Sequence, residues 1–364
     1  MVHRKYASLA CSGVMVAALA TGAWAAGAAG AQAAPFVDPL DASAVLYRNA
    51  AERPLMSVSR AGKRLVAVGM RGLIVTSDDE GKTWTQTASP VRSDLLASCF
   101  PSAREGWAVG HDGVILHTAD GGRTWARQFD GRMAAKALID DYRARIAAGQ
   151  TNLQPYLDQL TLNYKAGPSL PLLGVWFKDT QHGIAVGPFG LAIATGDGGK
   201  TWMPALELVD NPGFLHLQGI GEAAGEVFIA GERGTVFRLD RGSGTFRAVP
   251  TGYAGSLFGV AGHDEALIAY GLKGTLYRSA DHGASWTRID SPLHGLVTSA
   301  VYVPERHAFV LVTAAGEIAI ADSDARRVAL VKGGRPVPAT GVQPVSSDEL
   351  VLTGLDGVRA VELP

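Results

Sequence analysis

The chain has 364 residues, with 33 Lys and Arg against 34 Asp and Glu, for a formal net charge of −1. That balance gives no electrostatic reason to expect a nucleic acid partner. Apolar residues make up 47 %, enough for a large core, while charged residues are only 18 % and glycines number 45. Many short strands joined by glycine turns give that profile.

The first segment reads as a secretory leader. His3, Arg4 and Lys5 supply a positive start, an Ala-rich apolar run extends from about Ala7 to Ala29, and Ala31-Gln32-Ala33 is an A-x-A cleavage site. The mature chain is expected to begin at Ala34, after export to the periplasm. An uncleaved anchor is the weaker reading, because Ala and Gly bury little area per residue. Cys11 has no apolar run before it, which disfavours a lipoprotein cysteine. No other segment is long and apolar enough to span a bilayer. Cleavage leaves Cys99 as the one cysteine, so stability must come from packing rather than an internal disulfide. Its apolar surroundings, Leu95 to Phe100, read as a buried structural thiol rather than a nucleophile.

From Leu65 onward one phrase recurs: an apolar run, a tight turn bounded by glycines, a second apolar run, then a polar turn. The turns are Gly69 to Gly72, Gly110 to Gly113, Gly187 to Gly190, Gly231 to Gly234, Gly271 to Gly274, Thr313 to Gly316 and Gly354 to Gly357. Their spacings are 41, 77, 44, 40, 42 and 41 residues. A period of about 40 residues with four short strands per unit predicts a propeller blade. The two residues between glycines suit a tight hairpin, because glycine tolerates positive φ. The strand before each turn is apolar throughout, as in Ile184-Ala185-Val186, so both of its faces are expected to be covered. The fold expected is all-β, a seven-bladed propeller over residues 34–364.

The polar turn carries a second signature, S/T-x-D-x-G-x-S/T-W. It occurs at Ser77, Asp79, Gly81, Thr83, Trp84; at Thr118, Asp120, Gly122, Thr124, Trp125; at Thr195, Asp197, Gly199, Thr201, Trp202; and at Ser279, Asp281, Gly283, Ser285, Trp286. This is the Asp-box, or bacterial neuraminidase repeat. The aspartate can accept backbone N–H groups of its own turn and the tryptophan can pack beneath it, which makes the box a structural element. Asp240 to Phe246 and Ala321 to Asp324 are degenerate copies. The last unit runs out at Val358 to Val361, and Ala44 to Arg48 is expected to supply its outer strand and close the ring.

The one long interval holds an insertion, residues 132–168. Leu138, Tyr142 and Ile146 recur at helical steps, as do Leu153, Tyr156, Leu157, Leu160 and Tyr164. Gly149-Gln150 separates the two runs, and Thr151 or Asn152 could cap the second. A helical hairpin between blades 2 and 3 is predicted, on the face that carries the glycine turns. It reads equally as a lid over its own blade edge or as a docking arm.

The phrase Gly106-Trp107-Ala108-Val109-Gly110 through Gly121-Gly122-Arg123-Thr124-Trp125 resembles the photosystem II stability/assembly factor family, as do the phrases at Gly183–Trp202 and Ala266–Trp286. The resemblance covers nearly all of the mature chain. It implies a seven-bladed propeller that helps to assemble membrane complexes without catalysis. The insertion and leader are more similar to the non-photosynthetic bacterial branch, for which an association with RND-type exporters is implied. The resemblance implies a basic surface patch, which is not mapped residue by residue; Arg71, Arg233 and Lys273 lie in equivalent turns.

Asp-boxes also occur in sialidases and xyloglucan hydrolases, so glycan binding or hydrolysis is the rival reading. It would need paired carboxylates. Asp112, Glu232 and Asp356 fall in face turns but in different blades. The histidines are scattered with no ligand spacing, and no nucleotide fingerprint is present, so neither a metal nor a cofactor is expected. The candidate protein-binding face is Arg71, His111, Asp112, Phe189, Arg233 and Lys273. The expected partner is a membrane protein or complex, met through its periplasmic loops by a monomer of this chain.

Overall fold

The computed structural model describes residues 36–332 and 335–364; the leader read at residues 1–33 and its cleavage site lie outside them. Residues Val37–Pro364 make one compact unit. Among the described residues seven antiparallel sheets follow one another along the chain, six of four strands and one of three, each paired in chain order. The blades span residues 55–87, 95–129, 174–204, 217–250, 257–289, 297–330 and 341–362. The first strand of every blade touches the first strand of the next, and that of blade 7 returns to that of blade 1. This is a seven-bladed β-propeller, as the repeat predicts.

The second strand of each blade shows why the ring must close. In Arg64–Gly69 every residue is buried. Val66 and Val68 pack with Leu116 and Trp125 of blade 2, whereas Leu65 and Ala67 pack with Val351 of blade 7. Alternate side chains thus fill the seams on either side, and a lone blade would leave both faces wet. Each such Val or Leu contributes about 1.5–3 kcal/mol on burial.

The glycine turns differ from the sequence reading by one step. The opening glycines are extended, with φ of −166° at Gly69, −177° at Gly110 and −163° at Gly271. They are glycines because the chain leading into the first strand passes over them. A Cβ would lie 2.2 Å from Pro54 O at Gly69 and 1.9 Å from Asp94 O at Gly110. The first strands bulge at that point, between Leu55 and Ser57 and between Leu95 and Ala97. The left-handed pair comes later: Arg71-Gly72, Asp112-Gly113, Phe189-Gly190, Arg233-Gly234 and Lys273-Gly274 all have positive φ. Two consecutive positive φ values define the turn that matches strand twist.

The expected closing strand is not formed. Blade 7 ends with Gly357–Glu362, and Ala44 to Arg48 add no strand to it. Gln86, on the outer strand of blade 1, holds that segment instead. Tyr47 N–H donates to Gln86 Oε1 at 2.7 Å, and Gln86 Nε2 donates to Val45 O at 2.8 Å. Tyr47 packs over the seam between blades 1 and 7, and Ala51 O lies so near Gly357 that a Cβ there would be 2.0 Å away. The seam itself is stitched by Thr340 Oγ1 donating to Leu55 O at 2.7 Å and by the Arg60 guanidinium donating to Pro344 O.

The insertion is a helical hairpin, α1 (Gly131–Ala147) and α2 (Gln154–Asn163). Asp130 caps α1 by accepting from the N–H groups of Arg132 and Met133. Neither Thr151 nor Asn152 caps α2; they form a 3-10 turn, Thr151–Leu153, whose hydrogen bond from Gln154 N–H to Thr151 O carries the chain directly into the helix. Leu138, Tyr142, Leu153 and Leu160 are fully buried against Trp107 and Phe129 of blade 2 and Leu191 and Leu206 of blade 3.

Candidate protein-binding face

Turns between second and third strands share one end of the ring with the helical hairpin. α1 touches the His111–Gly113 turn, and Asn163 Nδ2 on α2 donates to Phe189 O at 3.3 Å. The structure therefore places all six candidate residues at this end, one blade apart: Arg71 on blade 1, His111 and Asp112 on blade 2, Phe189 on blade 3, Arg233 on blade 4 and Lys273 on blade 5. It does not bring them into one pocket. Arg71, His111, Phe189, Arg233 and Lys273 are exposed, and Asp112 is half-buried.

Carboxylates at this end are largely committed to holding blades together. Asp94 Oδ1 accepts the Arg71 N–H at 2.7 Å. Asp112 Oδ2 accepts the Ser93 hydroxyl at 2.6 Å. Glu232 accepts the His216 N–H at 2.9 Å, and Glu317 accepts the His294 and Gly295 N–H groups. The hydrogen bonds from those backbone groups keep the Glu317 carboxyl below its usual range against the opposing effect of its burial. Asp112, Glu232 and Glu317 tie their turns to the chain leading into their own blades, and Asp94 ties the lead-in of blade 2 to the turn of blade 1. Among the described residues Arg71, Arg233 and Lys273 have no ion-pair partner. The acids are held in place by these bonds and the cations are free to turn outward, so this end presents mobile cations beside fixed carboxylates.

The sequence reading found Phe189 but missed the rest of the apolar surface at this end. Met70 and Leu355 are exposed on the turns of blades 1 and 7, Met133 and Leu162 on the helical hairpin, and Phe189 is 45 % exposed with its ring edge-on to His216 at 4.6 Å. Any turn residue is expected to be polar, so the signal was the presence of Met and Leu at turn tips. Asp112, Glu232 and Asp356 form no acid pair: the first two serve the chain as described, and Asp356 lines a cavity of about 370 Å³ with Arg335 and Arg359, apart from both. Among the described residues no three His, Cys, Asp or Glu side chains cluster as metal ligands would. Cys99 is half-buried by surface area, and burial pushes its thiol up to about 11, out of reach of thiolate chemistry.

The Asp-boxes occupy the opposite end. In each, the first hydroxyl donates to the aspartate and accepts the glycine N–H, while the aspartate accepts from the second hydroxyl and its N–H. Asp79 takes Ser77 Oγ at 2.8 Å, Thr83 N–H at 2.9 Å and Thr83 Oγ1 at 2.6 Å. Asp120, Asp197 and Asp281 repeat the pattern with Thr118 and Thr124, Thr195 and Thr201, and Ser279 and Ser285. The Thr83 hydroxyl and N–H hold Asp79 down at about 2. Burial raises Asp120 and Asp281, but their donors outweigh it and bring both to about 2. Trp84 and Trp125 donate back to Gly81 O and Gly122 O, whereas the Trp202 and Trp286 indole nitrogens are buried with no acceptor among the described residues. The degenerate copies keep the local logic: Asp322 accepts from the Arg326 and Arg327 N–H groups, and Asp240 from Gly242 N–H and Ser243 Oγ.

Residues 53–135, which are blades 1 and 2 with the start of α1, match the model of the family described as photosynthesis system II assembly factor YCF48. Those two blades are similar to that family, and the chain as a whole has the fold of a seven-bladed Asp-box propeller. Solved structures agree on the architecture. One described as YCF48 bound to D1 peptide superposes with a TM-score of 0.62 at 17 % identity, covering 89 % of this chain and 100 % of that one. YCF48 from Cyanidioschyzon merolae gives 0.60 at 16 %, covering 89 % and 98 %. The WD40 propeller domain of Doa1 gives 0.54 at 12 %, covering 88 % and 96 %. At these identities the likeness is one of fold. No curated protein matches the chain in sequence.

Proposed function

We propose that this propeller is a non-catalytic binding protein that serves as an assembly, stability or accessory factor for a membrane protein complex. It acts after export, in the periplasm, and the face that carries the helical hairpin docks an extramembrane segment of the client. One observation carries the reading: the cations Arg71, Arg233 and Lys273 stand without ion-pair partners beside exposed Met70, Met133, Leu162, Phe189 and Leu355, at an end whose acids Asp94, Asp112, Glu232 and Glu317 are spent on the chain itself. Apolar anchors among cations suit an acidic, partly apolar peptide segment. The YCF48 structure described as bound to D1 peptide supports a membrane protein segment as the client class. An exporter of the RND type is the specific client we propose for a bacterial chain with this insertion.

The test is crosslinking in the cell envelope followed by purification. Reversal of Arg71 and Arg233 to Glu is expected to remove captured membrane proteins while the melting temperature stays within a degree or so, since both side chains are exposed. Undiminished capture by the folded double variant would move the client to another surface.

A further inference from the structure

Like blade 1, where Arg64 is paired with Asp78 at 2.6 Å, blade 4 carries a cavity beside its two outer strands, here of about 400 Å³. It lies at the Asp-box end, away from the proposed docking face, and Arg238, Arg241 and Arg247 line it together with Glu226 and Asp240. Arg238 and Arg247 are directly cross-strand partners on the third and fourth strands. Two like charges facing each other across a ladder are destabilising. At the corresponding position blade 1 pairs Thr76 with Thr85, blade 2 His117 with Ala126, blade 3 Ala194 with Met203, blade 5 Arg278 with Thr287 and blade 6 Ile320 with Ala329. Blade 4 alone sets two guanidiniums there.

Two acids, Glu226 and Asp240, offset the three cations only in part. Glu226 stands 3.7 Å from Arg238 Nη2 and 3.9 Å from Arg241 Nε, beyond hydrogen-bond reach. Asp240 gives its oxygens to Gly242 N–H and Ser243 Oγ in its own turn. Arg238 Nε is buried with no acceptor. An unsatisfied buried donor and an opposed pair of cations both call for an anion with several acceptor oxygens. Guanidinium forks match such oxyanions in shape as well as charge.

We propose that this notch binds a phosphate-type oxyanion between Arg238 and Arg247, with Arg241 at its rim. The site is a second ligand site, independent of protein docking at the other end of the ring.

The experiment uses the mature chain and compares it with Arg247→Gln, a substitution at an exposed position. In phosphate-free buffer of fixed ionic strength the variant is expected to melt no lower than the native chain, because the opposed charge is gone. Addition of 10 mM inorganic phosphate, taken as roughly tenfold above the dissociation constant, raises the native melting temperature by roughly 2 °C and leaves the variant nearly unmoved. A second arm replaces free phosphate with phosphatidylglycerol vesicles: retention that depends on Arg247 assigns the oxyanion to a lipid headgroup, and no retention assigns it to a free anion. Phosphate also stabilises proteins by exclusion from their surface, so an equal rise in both chains counts against the site. Failure of both arms to separate native chain from variant overturns the proposal, as does a variant that melts lower without phosphate.

Discussion

The Tyr142 hydroxyl on α1 donates to the Glu207 carboxylate at 2.5 Å, just beyond the last strand of blade 3. The same oxygen accepts the Leu206 N–H at 3.1 Å, and Arg145 reaches the other Glu207 oxygen at 2.5 Å. This polar clasp at the edge of an apolar interface fixes where the helical hairpin sits. Burial, with Glu207 beside it, drives the Tyr142 hydroxyl far above its ordinary range, so it stays protonated as the donor. Tyr142→Phe strands the Leu206 N–H and removes a hydrogen bond to a charged acceptor. A loss of about 1.5–3 kcal/mol is expected in urea unfolding. A loss below about half a kcal/mol would mean that packing of Leu138 and Leu160 alone positions the arm.

The Asp-boxes predict an acid limit. Asp79, Asp120 and Asp281 are held at about 2 in the folded chain, against 3.8 for the free side chain. The unfolded chain therefore binds more protons between those values, and stability falls as pH drops through that window. The stabilisation is fully present above about pH 4 and lost progressively from there to about pH 2. Urea midpoints measured from pH 5 to pH 2 should decline steeply below 4, and less steeply in Asp79→Asn, which has no carboxylate to protonate there. Parallel curves for the two proteins would remove Asp79 as a source of the acid limit.

Phe189 links backbone strain to the docking face. Its φ of 55° is left-handed, a conformation costly for an aromatic residue, and its ring is 45 % exposed. Phe189→Gly relieves the strain and gives up the contact with His216. It is expected to melt at or above the native temperature and to capture less of the client in the envelope. A variant that melts lower and captures normally would make Phe189 a packing residue instead.

The opening glycines supply a steric prediction. Gly110→Ala sets a methyl group 1.9 Å from Asp94 O and is expected to cost about 1–3 kcal/mol or more by forcing the first strand of blade 2 away. Gly196→Ala meets nothing within 4 Å and has no left-handed φ, so its unfolding midpoint should be near native or slightly higher. Similar losses at both positions would mean that the approach of Asp94 O is not what requires glycine at Gly110.

Number and order of blades were legible because each unit repeats the same local chemistry: apolar second strands such as Leu65 to Val68, and boxes in which Asp79 or Asp120 satisfies its own turn. Local chemistry is what a sequence displays. The remaining features depend on which chain passes over which. Gly69 looks like a turn glycine until Pro54 is seen lying across it, and Ala44 to Arg48 looks like a strand until Gln86, on a neighbouring strand, takes its backbone groups. At the candidate face, turn positions and charges could be read, so Arg71, Arg233 and Lys273 were found. The hydrogen bonds of Asp112 and Glu232 to Ser93 and His216 could not be read, since those partners lie a whole hairpin away, in the irregular chain leading into the same blade. Exposed Met70 and Leu355 were marked only by their place at turn tips, a weak signal because apolar residues are frequent everywhere in this chain.

Since Gln86 keeps the segment before Leu55 at blade 1, among the described residues every blade is one uninterrupted stretch of chain and no sheet is shared between the chain's two ends. The join between blades 1 and 7, with Thr340 against Leu55 and Arg60 against Pro344, is then the same kind of contact as any other seam. A circular permutant opened at another connection between blades, such as the one after Pro250, would keep all seven sheets whole. Where the ring starts is thus a matter of gene order rather than of architecture.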